Sequence, residues 1–461
     1  MNILSESITT NEPRKSRTIF ALFFIIPILA VLPYGSTDVG ALIPLTILTA
    51  LLAGAWIGRC WRSGVFDLNL DLIQLPLIGL LILGLVQLIP LGDAGIQADI
   101  LSVSPSNALS IDPFWTRIFL VRLVGYIIFF AAALTFIDTE ERYRRALTVI
   151  LIFGGVIAFV GILQKLASPD AIYGVRKHSG AIPFGPYINS HHFASLMVLI
   201  SGIAVAHLLG NAISKQIKLL VAISAAVMAI AVPFTSSRGG VIAYIAMVSV
   251  AVLAWFYRVK EKDAGGWTPI LAGGAGLALV VIGSLVYLGG EASMLRGFGI
   301  ENAADDISSG RFHFWSVAWQ IFLANPILGT GFDSFAMAFP RFDTQSGMFR
   351  VEQAHNDYLQ MLSDGGIVAF LITMAFIVML VRKALKRIRE EPHDLLRTTV
   401  IGGLAGCVGI LVHSIFDFPL RTAGNAYVFL LVIALMFAPL AISARRSSGR
   451  GRSRPSSRTE P

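Results

Sequence analysis

Roughly twelve stretches of about 20 mainly apolar residues follow one another along the chain, each long enough to cross the hydrocarbon core of a bilayer as a helix. They lie near 18–34, 40–58, 71–91, 118–137, 146–167, 191–210, 217–234, 239–256, 268–289, 358–381, 398–416 and 424–443. The runs are continuous rather than alternating, and lipid offers no water to satisfy an open sheet edge, so strands are not expected in them. The expected fold class is therefore all-α, a polytopic membrane protein. Composition agrees, since 55% hydrophobic against 14% charged residues is more apolar surface than a soluble chain of 461 residues could bury.

Basic residues set the orientation. Placing Arg14, Lys15 and Arg17 on the cytoplasmic side sends Arg59, Arg142, Lys215, Arg258, the Arg382–Arg397 cluster and the tail from Arg445 to the same side, as the positive-inside rule requires. Both termini are then cytoplasmic. The net charge of +8 is explained by topology and by weak attraction to anionic membrane lipid, and no nucleic-acid partner is expected. The expected division is a cytoplasmic segment 1–17, spans over 18–289, a large noncytoplasmic loop over 290–357, spans over 358–443 and a basic, disordered tail over 444–461. The first apolar run lacks a small-x-small cleavage pattern and is read as an uncleaved span. Cys60 and Cys407 support neither a disulfide framework nor a metal site.

A structureless loop as long as 290–357 is improbable, and the sequence supplies helices for it. RFHFWSVAWQIFLAN, from Arg311, precedes Pro326, with Trp315, Trp319 and Phe322 at one-face spacing. A helix there is expected to lie in or near the membrane interface or to pack on the bundle. Gly329-Thr330-Gly331 turns the chain, and a second short helix is expected over 335–342.

Candidate chemistry sits on the side that topology disfavours for cations. In AHNDYLQMLSDGG (354–366), Asn356 can cap a helix beginning at Asp357, which leaves His355 at the positive end of the dipole and favours a neutral ring able to accept a proton. Asp357 is near enough in sequence to orient that ring; the plainer alternative is a surface histidine beside a polar cap. Arg238, in TSSRGG (235–240), opens a span, where a guanidinium either faces a cavity and binds phosphate oxygens or snorkels to headgroups. Arg311 opens the loop helix beside free amides that also attract anions. The loop YGVRKHSGAIPFGPYINSHHF (173–193) brings Arg176, Lys177, His178, Asn189, His191 and His192, a mixture suited to a glycan or phosphate surface. Its histidines lack the spacing of a zinc site, and adjacent histidines point apart on a helix. No phosphate-binding nucleotide loop is present, so any group transfer uses a substrate activated beforehand, with no cofactor and no metal.

Four stretches, FGPYINSHHFASLMVL (184–199), TSSRGG (235–240), GRFHFWSVAWQIFLANPILGTGF (310–332) and AHNDYLQMLSDGGIVAFL (354–371), resemble in kind and order those of the O-antigen ligase and polymerase superfamily of bacterial inner-membrane proteins. The resemblance covers roughly 180–420. It implies transfer of a glycan from undecaprenyl pyrophosphate to an acceptor such as lipid A core or another glycan, on the periplasmic side and without a metal. It further implies that His355 is the catalytic base and that Arg238 and Arg311 bind the donor pyrophosphate. Asn356, Asp357, Tyr358, Asn189, His191, His192, Arg176 and Lys177 are expected substrate-binding residues. The His191-His192 pair departs from the family pattern, which bears on sugar preference. A polymerase of lipid-linked repeat units fits the same motifs. A transporter of lipid-linked sugars would instead need buried midplane charges and an internal repeat, and Asp417 and His413 lie near a span end.

Overall fold

The computed structural model describes residues 17–91, 107–177, 182–259, 310–345 and 351–440. The expected ninth span, 268–289, the first part of the large loop, His178, the N-terminal segment through residue 16 and the basic tail lie outside these residues. What is described is a helical bundle. In chain order its helices are α1 (Arg17–Val31), α2 (Val39–Ser63), α3 (Leu75–Gln87), α4 (Pro113–Phe136), α5 (Glu140–Ala167), α6 (Ser190–Leu209), α7 (Lys215–Phe234) and α8 (Arg238–Val259). Two loop helices follow, α9 (Arg311–Ala324) and α10 (Phe335–Phe342), then α11 (Asp357–Glu390), α12 (Asp394–His413) and α13 (Ala423–Phe437).

Among the described residues, 8 helices are long and apolar enough to span a membrane, namely α2, α4, α5, α6, α7, α8, α11 and α12. The runs at 18–34, 71–91 and 424–443 form shorter apolar helices. Pro76 starts α3 after a 3-10 turn, and α13 stops where the backbone turns extended at Ala438. The chain is a multi-pass membrane protein.

Burial sorts the helices. α6 and α12 are covered nearly all round, as expected of helices with no polar face. By contrast Ile43, Ile47 and Leu51 of α2, spaced to fall on one face, are exposed, the pattern of a helix whose apolar side meets lipid rather than protein. α6 packs on α12, and α8 on both. Their approach is so close that a Cβ on Gly202 would stand 2.5 Å from Gly402 O and 2.6 Å from Gly406 N. Small residues at the crossing let two backbones meet where no hydrophobic force drives helices together in lipid.

One span is broken. At Gly366 of α11 the backbone turns to φ 64°, ψ −165°, a region open essentially to glycine alone. The backbone groups freed by the break are recovered by the α9–α10 loop, with Thr330 N donating to Ser363 O (3.0 Å) and Gly331 N to Asp364 O (2.9 Å), while the Ile367 amide donates to Pro326 O (2.8 Å). The Asp-Gly-Gly and Gly-Thr-Gly segments are thus two halves of one joint. Gly366→Ala would press a Cβ to 2.2 Å from Ile327 O. It is expected to cost at least about 1–3 kcal/mol from backbone strain alone, read as a lowered unfolding midpoint of the purified protein.

Two details lie beyond what the apolar runs decided. The buried face of α9 is Val317, Ala318 and Ile321, which pack on Phe335 and Phe339 of α10, while Trp319 is 47% exposed. The side that packs is therefore not that of Trp319, and small Ala318 allows the closer approach. A strand pair also exists, β1 (Ala171–Ile172) and β2 (Arg176–Lys177), antiparallel with Ala171 opposite Lys177. It lies in the α5–α6 loop rather than in an apolar run.

Candidate functional site

The starts of α6, α8 and α11 meet at the end of α12, where His413 lies against Ser195 and Gly239 and Ser414 O accepts from Asp357 N, and the start of α9 joins them through Trp315. Each start is a positive dipole end with amides to satisfy. Asn189 caps α6, accepting from His191 N (2.9 Å), and Asn356 caps α11, accepting from Tyr358 N (3.0 Å) and Leu359 N (3.1 Å). Ser237 accepts from Gly240 N (3.0 Å) at the start of α8, whereas α9 begins at Gly310 without a side-chain cap.

His355 occupies a tight corner before α11. Its φ of 50° is uncommon for a residue with a side chain, and its neighbours over-determine it. Ala354 N donates to Gln360 Oε1 (2.6 Å), Asp357 N to Ser414 O (2.9 Å), and Trp315 Nε1 to His355 O (3.4 Å). The imidazole lies beside Phe314 (centroids 6.0 Å apart) and Phe418 (4.9 Å), and remains 29% exposed.

Nδ1 of that ring stands 3.2 Å from Oδ1 of Asp417, which is 1% exposed. Burial alone pushes the Asp417 carboxyl up, but the facing rings of His192 and His355 lower it more, holding it well below the usual carboxylate range. An ionised carboxylate can only accept, so Nδ1 of neutral His355 carries the hydrogen and Nε2 keeps its lone pair. That arrangement orients the ring and leaves Nε2 as the nitrogen able to accept a proton. Phe418 N also donates to Asp417 Oδ1 (2.9 Å), fixing the carboxylate on its turn.

Asp417 replaces Asp357 as the group that orients the ring. The Asp357 carboxylate is occupied elsewhere, accepting from Ser414 Oγ (2.9 Å) with Arg421 Nε at 3.7 Å. Reach along the chain favoured Asp357, but its side chain points along the first turn of α11 toward the α12–α13 connection. Sidedness could have drawn attention to Asp417, a carboxylate at the end of an apolar run on the His355 side of the bundle.

The arginines are differently placed. Arg238 and Arg311 are half-buried at the starts of α8 and α9, and among the described residues neither has a hydrogen-bond or ion-pair partner. Burial pushes the Arg311 guanidinium down and the nearby charge of Arg238 adds to this, while Asp417 opposes both. Two guanidiniums within each other's field, neither paired among the described residues, carry the charge and the donors that suit a multiply charged anion. A guanidinium stays charged in any case.

Other expected residues divide. His192 is buried, its Nε2 3.8 Å from Asp417 Oδ1 and neither ring nitrogen hydrogen-bonded, whereas His191 is only half-buried. His413, at the end of α12, shares 2.7 Å with Ser195 Oγ and lies beside Gly239. Tyr358 donates its hydroxyl to Leu411 O (2.8 Å), so Asn356, Asp357 and Tyr358 all hold the corner together. Arg176 ion-pairs with Asp38 (2.8 Å) and stacks over Tyr34 (4.3 Å), with exposed Lys177 beside it on β2. None of the His355 cluster is among the partners of Arg176.

No curated protein matches the chain. Residues 223–374, which run from α7 into α11 and include Arg238, Arg311 and His355, match the family model described as O-antigen ligase, and this stretch is what the chain shares with the O-antigen ligase-like superfamily.

Proposed function

We propose that this membrane glycan transferase moves an oligo- or polysaccharide from undecaprenyl pyrophosphate to an acceptor hydroxyl, at the periplasmic face of a bacterial inner membrane with both termini cytoplasmic. The observation that carries this reading is the pairing of an oriented base, His355 on buried Asp417, with two unpaired guanidiniums at the same end of the bundle.

In the proposed step, His355 Nε2 takes the proton of the acceptor hydroxyl as its oxygen forms a bond to the anomeric carbon of the donor sugar. The bond from that carbon to the pyrophosphate oxygen breaks, and the electron pair leaves with the lipid pyrophosphate. Arg238 and Arg311 neutralise the charge that develops there, aided by the helix starts. Asp417 stabilises the imidazolium without itself taking the proton. A pyrophosphate is a good leaving group, so positioning and charge neutralisation are the main demands. His191, whose ring feels the charges of Asp417 and Arg311, is the residue we assign to donor or acceptor sugars, together with Asn189 two positions before it.

Polymerisation of lipid-linked repeat units uses the same chemistry with a second lipid-linked glycan as acceptor, and deletion separates the two. Long lipid-linked polymer accumulating without attachment is expected for the ligase. Single lipid-linked units accumulating instead would assign the polymerase, and unchanged lipid-linked and surface glycans would overturn both.

A further inference from the structure

Three segments carry the groups of the site. The α9–α10 loop follows the helix that Arg311 opens, the 354–357 corner holds His355, and the 414–421 turn holds Asp417. One side chain lies among all three. Arg421 Nη1 donates to Asp333 Oδ1 of the loop (2.5 Å), Nη2 to Asp364 Oδ2 of α11 (3.0 Å), and Nε stands 3.7 Å from Asp357 Oδ1. Asp333 is also gripped by Arg122 of α4, whose Nη1 donates to the Arg421 carbonyl (3.4 Å). Asp333 N in turn donates to Asp364 Oδ2 (3.3 Å), and Asp333 holds φ 59°, a backbone position that its charged neighbours must maintain.

We propose that Arg421 is a positioning residue for the transfer reaction, fixing the α9–α10 loop, the His355 corner and the Asp417 turn in one register through Asp333, Asp357 and Asp364. It touches none of the reacting atoms. Buried ion networks of this kind contribute little net stability compared with apolar packing, so the value of this one lies in the arrangement it imposes. A guanidinium alone can serve here, because its planar fork offers separate donors to separate carboxylates, whereas an ammonium is a single point of charge. The inference rests on the reading of His355 as the base, since it is the His355–Asp417 geometry that Arg421 would set.

The test uses the purified full chain in phospholipid vesicles, with undecaprenyl-pyrophosphate-linked glycan and an acceptor fraction from deletion cells, and initial rates measured against donor concentration. Arg421→Lys is expected to lower kcat on the order of 10²-fold, the effect of a small misplacement of reacting groups. KM for the donor and the unfolding midpoint should stay close to those of the wild type. Should Arg421→Lys fail to fold, Asp333→Asn, which keeps the side-chain shape and loses the charge, is expected to give the same kcat-selective loss. His355→Ala, measured alongside, separates the two ideas. An active His355→Ala overturns the base assignment and this inference with it. An inactive His355→Ala with wild-type kcat in Arg421→Lys or Asp333→Asn overturns the positioning role alone, as does a loss confined to KM or to folded protein.

Discussion

His355→Ala is expected to lower glycan transfer about 10²–10⁴-fold, the usual worth of a positioned general base, while the amount of protein in the membrane stays normal. The imidazole is only partly buried and its removal leaves the Asn356 cap intact, so a folding defect is not the expected route. Asp417→Asn should come close to it in size. An amide is neutral, and its NH₂ could hold the ring in the wrong tautomer or its oxygen could accept without stabilising the imidazolium. The two substitutions act on one unit, so combining them should cost little more than His355→Ala alone. Retained surface-glycan assembly in His355→Ala would overturn the assignment. Asp417 also makes a statement about pH. Its folded pKa is depressed, so the stability it contributes is present above the ordinary carboxylate value and is lost only as pH falls through the lowered one. Between neutrality and about pH 5, well above the unperturbed Asp value, Asp417 stays charged, so a fall in rate there is not its protonation.

Arg238→Ala and Arg311→Ala are each expected to cost about 10²–10³-fold in kcat, as loss of a preorganised donor to developing negative charge does elsewhere. Lysine should restore part of the rate, since it returns the charge without the fork. Each guanidinium raises the local potential felt by the other. Removing one therefore relieves a repulsion as well as losing a contact, and the double substitution should cost less than the sum of the two singles. Rates in reconstituted vesicles at several salt concentrations would check this. Additive losses would mean that the two arginines bind separate groups.

The apolar runs made the membrane fold legible, because continuous hydrophobicity over the width of a bilayer has few other meanings. Arg238, Arg311 and His355 stood out as candidates from a second property, their expected position on the side of the membrane where cations are disfavoured, and the structure sets the starts of their helices near one another. Asp417 did not stand out, because its partner is 62 residues away in sequence and a carboxylate ending a span looks like a marker of the interface. Arg421 and Asp333 were hidden for the same reason, since each is one charge in a loop until the loops meet. On α9 spacing could group Trp315, Trp319 and Phe322 but could not say which side packs, because fit against α10 decides that Val317, Ala318 and Ile321 are buried. Asn356, by contrast, is a local device that acts on amides two and three residues away, and local devices can be read from local sequence.

The break at Gly366 divides α11 into two parts that answer to different neighbours. Its long inner part, through Glu390, is held at the opposite end of the bundle from His355, where Arg387 reaches the carbonyls of Met436 and Ala438. Its short outer part, which begins just after His355, is sewn to the α9–α10 loop by backbone hydrogen bonds. A rigid rod would have carried every tilt of the membrane helix straight to the imidazole. With a joint in between, thickness and tension of the surrounding bilayer can alter the tilt of the inner segment while the base keeps its place against the loop. A transferase built in this way should hold its rate across vesicles of different acyl-chain length, and stiffening the joint should make that rate sensitive to the lipid.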